Sequence, residues 1–281
     1  KIKEDSIMAL RINTNVAALN AHRQLLGTEQ SLNKSMERLS SGYRINSAAD
    51  DAAGLAVANR LRAEVRSLNV ASRNVSEASS LLKIAEGAAN EIEGILERMK
   101  ELATQAASAN TSTTDKAKLD AEFQALIDEI DRIVDDTEYQ GTALLDGNFS
   151  GTFQVGSGDT SGVDTLNVSI SNLDSTSLTV GSDALTSAAT AVTAITHVDA
   201  AIDTLSTNLG NIGAAMNRLD YTYSNIQVSI ENFSASESVI RDADMASEMV
   251  DFTKNQILLQ AGTAMLAQAN MSSQVVLSLF G

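Results

Sequence analysis

The chain has 281 residues, 36 acidic and 20 basic, for a formal net charge of −16, with no Cys, Pro or Trp and only 4% aromatics against 43% apolar residues. These numbers exclude a disulfide framework, a thiolate nucleophile and a thiolate metal site; two His cannot build a His-rich metal centre, and the acidity argues against a nucleic-acid surface. The lack of Pro points to long uninterrupted helices around a core of Ala, Leu, Ile and Val, and to a structural protein rather than an enzyme.

Residues 1–7 are charged and non-periodic and precede Met8, so they read as a non-native or over-extended start. No leader pattern follows, and no run of 18 apolar residues is present, so no membrane insertion is expected. Charge is unevenly spread: residues 1–75 hold 11 basic and 7 acidic side chains, whereas Asn255 to Gly281 has no charged one. So long an uncharged tail on an acidic protein suggests burial in an assembly.

Over 10–42, Ile12, Val16, Leu19, Leu25, Leu32, Met36 and Leu39 predict an amphipathic helix, capped within Asn13-Thr14-Asn15 and stopped at Ser40-Ser41-Gly42. Arg44 to Gly54 lacks a stripe and reads as a joint, whose Asn46, Ser47, Asp50 and Asp51 can cap local backbone. The stripe Leu61, Val65, Leu68, Ser72, Val75, Ser79, Leu82 then slips by one residue and resumes as Leu81, Ala85, Ala88, Ile92, Ile95, Met99, Leu102. A helix of that length requires a bundle or coiled coil. A polar turn at 110–114 leads into Leu119, Phe123, Leu126, Ile130 and Ile133, a helix expected to return antiparallel.

Residues 138–183 hold seven of the sixteen Gly, and Phe153/Val155, Leu166/Val168/Ile170 and Leu178/Val180 alternate with polar residues, predicting short strands. From Ile195 to Phe233 a stripe through Ile202, Leu209, Ile212 and Met216 alternates four and three without a miss. The tail helix, with Leu258, Leu266, Val275, Leu277 and Leu279, is apolar on more than one face. The expected fold is mainly α: an elongated antiparallel helical bundle or coiled coil with paired N- and C-terminal helices and a small β-hairpin element at the distal end. The predicted bundle core includes Ile92, Ile95, Phe123, Ile130, Leu209, Ile212 and Met216.

No catalytic constellation emerges. His22 reads as a solvent- or interface-facing helical residue and His197 as a helix-surface or stripe-edge one. Asp50-Asp51 reads as local capping, or as pairing with Arg44 or Arg60, rather than as a carboxylate dyad. Asp128 to Glu138 reads as a solvated acidic face without calcium-loop spacing. The Gly-rich segment lacks a phosphate-loop ending. No metal or cofactor is implied.

The segment Ser40 to Arg60 (SSGYRINSAADDAAGLAVANR), with Arg11 to Asn15 before it, closely resembles the bacterial flagellin family. Ile240 to Ala246 and Gln274 to Leu279 resemble the C-terminal signature of the same family. The resemblance implies a short flagellin: a non-enzymatic subunit that polymerises into an open helical filament for swimming motility, outside the cell. It implies an inner-tube helical domain from residues 8–50 and 241–281, and a core domain from 51–137 and 184–240 around the β element at 138–183. Assembly contacts are then expected from Ile12, Val16, Leu19, Leu32, Leu39, Leu258, Leu266, Val275, Leu277 and Leu279, and the joint motif from Arg44, Asn46, Asp50, Asp51 and Arg60. The implied partners are further copies of the chain, the flagellar export apparatus, an export chaperone, and junction and cap proteins. The family also implies recognition by a host flagellin-sensing Toll-like receptor through Arg98, Leu102 and Glu122. The competing readings are a hook–filament junction protein, which would polymerise too, and a soluble coiled-coil adaptor, which would stay a fixed small oligomer.

Overall fold

A computed structural model describes residues 14–160 and 162–278. In chain order these form α1 (Val16–Ser41), α2 (Ala52–Ala107), α3 (Thr113–Asp136), β1 (Glu138–Tyr139), β2 (Thr142–Ala143), β3 (Ser150–Gln154), β4 (Thr165–Ser169), α4 (Ala188–Arg241) and α5 (Met245–Ser278). The helix starts share one device, a short polar side chain that accepts an otherwise orphaned amide of the first turn. Asn15 takes the amide of Ala18 at 3.0 Å, Asp51 that of Gly54 at 2.9 Å, and Ser112 that of Asp115 at 3.2 Å. Ser187 does the same for Thr190 at 3.1 Å and Asp244 for Ala246 at 2.9 Å.

The chain divides into two compact units, one from the residues up to Arg62 and from Ser234 onward, the other from Ala63–Phe233. In the second unit α2 buries an unbroken line, Leu68, Ala71, Val75, Ala78, Leu82, Ala85, Ala89, Ile92, Leu96, Met99, Ala103 and Ala106, with steps of three and four. The expected phase slip in this helix is absent. It arose from taking Ser72, Ser79, Ala88 and Ile95 as stripe positions where the buried line takes Ala71, Ala78, Ala89 and Leu96 instead.

In α4 the buried line runs Ala191, Ala194, Val198, Ala201, Leu205, Asn208 and Ile212, then Leu219 and Ile226. It is rotated slightly from the predicted stripe. Ile212 is buried with Ile92, Phe123 and Ile130, whereas Ile95, Leu209 and Met216 are half-buried and flank that core. Asn208 can occupy the line because its amide donates to the Thr204 carbonyl at 3.2 Å. Lys100 of α2 also pairs with Asp199 of α4 at 2.6 Å.

β1 and β2 form a minimal hairpin whose turn residues Gln140 and Gly141 both have positive φ. β3 and β4 pair antiparallel from Ser150↔Ser169 to Gln154↔Thr165, with Leu166 and Val168 facing the core as the alternation required. The strand expected at Leu178/Val180 is instead a compact turn. Its amides are already used: Leu178 donates to the Asp174 carbonyl, and Val180 and Gly181 both donate to Ser175, each at 3.0 Å. Asp131 of α3 anchors this turn, accepting from the amide and the hydroxyl of Ser175 at 2.8 Å each. Leu178 and Val180 still enter the core, so the spacing reported burial correctly but not conformation.

Candidate functional site

In the unit built from both ends of the chain, α1 and α5 pack antiparallel. Asn15 Nδ2 donates to the Ala269 carbonyl at 2.9 Å near one end, and Arg38 lies 3.6 Å from Glu248 near the other. Between these points the covered positions of α1 include Leu25, Leu32, Ser35 and Leu39, and those of α5 Phe252, Leu259, Gly262 and Leu266. A Cβ placed on Gly262 would lie 3.2 Å from Leu25 Cδ1, so the bare glycine leaves room there for the leucine side chain.

The seam covers one side of each helix only. Val16 is 52% and Leu19 56% exposed, and on α5 Val250, Ile257 and Leu258 stand uncovered as well. Among the predicted assembly residues, Val16, Leu19 and Leu258 therefore lie on open surface, while Leu32, Leu39 and Leu266 lie half-buried in the seam. Ile12 and Leu279 fall outside the described residues. Val275 and Leu277 are on α5, with side chains outside the described set.

Two turns close this unit, one between α1 and α2 and the other between α4 and α5, and the backbone stitches them together. Tyr43 bridges Asp242 in an antiparallel sense; the Arg44 amide donates to the Arg241 carbonyl at 2.7 Å, and the Ala243 amide to the Gly42 carbonyl at 2.9 Å. Gly42 permits this because it ends α1 in the left-handed conformation, φ +74°, with its amide on the Arg38 carbonyl. The Arg44 guanidinium reaches the Ile240 carbonyl at 2.6 Å, and that of Arg241 lies over the Tyr43 ring. Arg62 Nε adds a bond to Glu237 at 2.8 Å.

Asp50 does not pair with Arg44 or Arg60. Its carboxylate sits 2.8 Å from Lys34 Nζ and accepts the amides of Asn46 and Ser47 at 3.2 and 3.0 Å. Arg44 is taken by the α4 terminus instead, and Arg60 is an exposed residue of α2. The Lys34 ammonium first, then the two amides, hold the Asp50 carboxyl far below the ordinary carboxylate range. Asn46 spans back to Glu37 at 2.7 Å, and Asp51 caps α2. The joint motif thus works as a knot of caps with one buried apolar residue, Ile45.

On the other unit, Arg98 of α2 bonds Glu101 at 2.7 Å and Glu122 of α3 at 2.9 and 3.1 Å, all at exposed surface. These carboxylates, Glu101 first, raise the guanidinium pKa. Leu102 is 1% exposed and belongs to the core. His22 is exposed on α1, whereas His197 Nδ1 lies 2.8 Å from the buried carboxylate of Asp183. No pattern in the sequence marks that pair, because Asp183 reaches it from an irregular turn. Tyr43, Arg241, Arg62 and Glu237 were likewise given no role by sequence reasoning, although the first two lie inside the signature segments.

Among the described residues no group of three or more His, Cys, Asp or Glu could hold a metal ion, and no helix is long and apolar enough to cross a membrane. The arrangement offers chemistry of one kind: apolar helical surface held at fixed joints.

A family model for the bacterial flagellin N-terminal helical region matches residues 12–150, and one for the bacterial flagellin C-terminal helical region matches residues 195–280. A flagellin of Halalkalibacterium halodurans is 42% identical over 270 residues, covering 95% of this chain and 98% of the relative. A flagellin of Bacillus subtilis is 42% identical over 313 residues, covering 96% and 99%. The crystal structure of Bacillus cereus flagellin shares 35% identity, with a TM-score of 0.49 over 55% of this chain and 88% of that one.

Proposed function

Because the chain belongs to the bacterial flagellin family, we propose that its paired terminal helices are the surface through which copies of it stack. The chain is a structural subunit of the flagellar filament, which serves motility; it is not an enzyme, and the filament it builds is extracellular. One observation carries the assignment of the stacking surface: α1 and α5 leave Val16, Leu19, Ile257 and Leu258 uncovered after pairing with each other. Burying that area between subunits contributes about 25 cal/mol per Å². Identical head-to-tail contacts that do not close on a ring then extend without limit.

In this reading residues 8–50 and 241–281 form an inner tube, and the α2–α4 unit with its β element forms an outer one. The remaining partners follow from the same premise: an export apparatus and chaperone for the unassembled subunit, junction proteins at the filament base and a cap at its tip. The exposed Arg98–Glu122 pair supports a host Toll-like receptor contact, with Leu102 acting from beneath by holding α2. Arg98→Ala with Glu122→Ala should weaken receptor signalling by the monomer; unchanged signalling would remove that partner.

Deletion of residues 255–281 tests the stacking surface. It strips α1 of much of its partner and leaves the 63–233 core intact, so the product should stay helical by far-ultraviolet dichroism yet form no filaments by negative-stain microscopy. Filaments of normal length from the truncated chain would sink the assignment.

A further inference from the structure

Of the eight methionines in the chain, Met99 is fully buried in the core and Met216 is half-buried beside it. Five others, Met36, Met245, Met249, Met265 and Met271, are 47–64% exposed, and all five lie on α1 or α5. They form a large share of the uncovered apolar surface of that helix pair. A thioether packs like a hydrocarbon, but unlike Val16, Leu19, Ile257 or Leu258 it has a reactive atom.

We propose that these five methionines are a peroxide-sensitive modification site that decides whether a free subunit can join a filament. The proposal rests on the stacking surface assigned above. In the step, a sulfur lone pair attacks one oxygen of hydrogen peroxide and the O–O bond breaks. The sulfur keeps that oxygen and is oxidised by two electrons to the sulfoxide. The second oxygen takes both protons and leaves as water. The product carries a strong acceptor that must keep its water or find a donor, and an apolar interface between helices supplies neither. All five lie on the helix pair whose uncovered surface is assigned to stacking. Sulfoxide formation is reversed by the two reductases specific for its epimers, with a dithiol as the two-electron reductant and the oxygen leaving as water, so the block can be lifted. Assembly itself covers the thioethers, which makes the free subunit sensitive and the filament resistant.

The test uses the full-length chain with hydrogen peroxide as the oxidant. Peptide mass spectrometry on treated monomer should find sulfoxide at Met36, Met245, Met249, Met265 and Met271 before Met216, and last at Met99. Seeded polymerisation of that material should show a critical concentration raised by about tenfold or more, restored by incubation with both reductases and a dithiol reductant. Preformed filaments under the same dose should oxidise more slowly at the five positions. A variant with all five changed to Leu is read as its ratio of treated to untreated assembly, so that any change in its basal assembly cancels; that ratio should stay near one. Unchanged assembly by chains carrying sulfoxide at the five positions would overturn the proposal, as would oxidation of Met99 at an equal rate. Untreated chain that never polymerises on seeds would instead overturn the stacking reading, which keeps the two failures apart.

Discussion

The guanidinium carbon of Arg241 lies 4.1 Å from the centroid of the Tyr43 ring, and its Nε donates to the Ile45 carbonyl at 3.4 Å. One side chain from the end of α4 therefore clamps both the ring and the backbone of the joint after α1. Replacing Tyr43 with Ala removes the ring and should cost about 1 kcal/mol locally. Hydrogen exchange at the Arg44 and Ala243 amides, which cross between the two turns, should then speed up about fivefold. Tyr43→Phe keeps the ring face and should leave both amides near their original rates.

Gly42 allows the crossing at all. Its φ of +74° lies in the left-handed region, where an L side chain meets the following carbonyl. Gly42→Ala should cost about 1–2 kcal/mol and Gly42→Asn less. Thermal unfolding of the monomer, with limited proteolysis at the joint, would show both the loss and its ordering.

Acid should open the same joint. Asp50 titrates far below its ordinary value of 3.8, first because of Lys34 and then because of the Ser47 and Asn46 amides. A depressed carboxyl contributes stability that is present above its unfolded value and is lost as pH falls toward the folded one. Proteolysis between residues 44 and 51 should therefore accelerate below about pH 4. Asp50→Asn should be cleaved faster at neutral pH and lose that acid step, and an unchanged pH profile in this variant would contradict the assignment.

In α4 the contrast lies between neighbouring turns. Leu205 is fully buried, Leu209 half-buried and Asn211 exposed. Alanine at Leu205 should cost about 2–5 kcal/mol through the cavity it leaves. At Leu209 the cost should be clearly smaller, and at Asn211 within about 0.5 kcal/mol. Denaturant unfolding of the three monomeric variants gives the order directly.

That contrast also shows how far the pattern of residues could be read. Val198, Leu205, Ile212, Leu219 and Ile226 lie both on the predicted stripe and in the core. The alternate positions moved from Ile202 and Leu209 to Ala201, a small side chain that hydrophobicity alone ranks low, and to Asn208, a polar one whose amide is satisfied on the Thr204 carbonyl. The β3–β4 ladder was legible because its alternation is sustained over five pairs. The turn at 174–181 was not, since two apolar residues two apart fit a strand and a turn equally well. In the joint, the capping roles of Asp50 and Asp51 follow from their local positions, whereas the Lys34–Asp50 and Tyr43–Arg241 contacts depend on tertiary placement that no local spacing encodes.

The seam between the first helix and the last sets an order of events during folding. Closing a flexible loop of that span carries an entropy cost on the order of 5 kcal/mol before α1 and α5 gain any burial. The unit from Ala63 to Phe233 shortens the search, because Glu64 and Phe233 line one cavity and its own two ends thus finish side by side. Once it has closed, the terminal segments diffuse as short tethered arms rather than across two hundred residues. A variant slow to close the central unit will therefore also be late to pair its ends, even when every seam residue is intact.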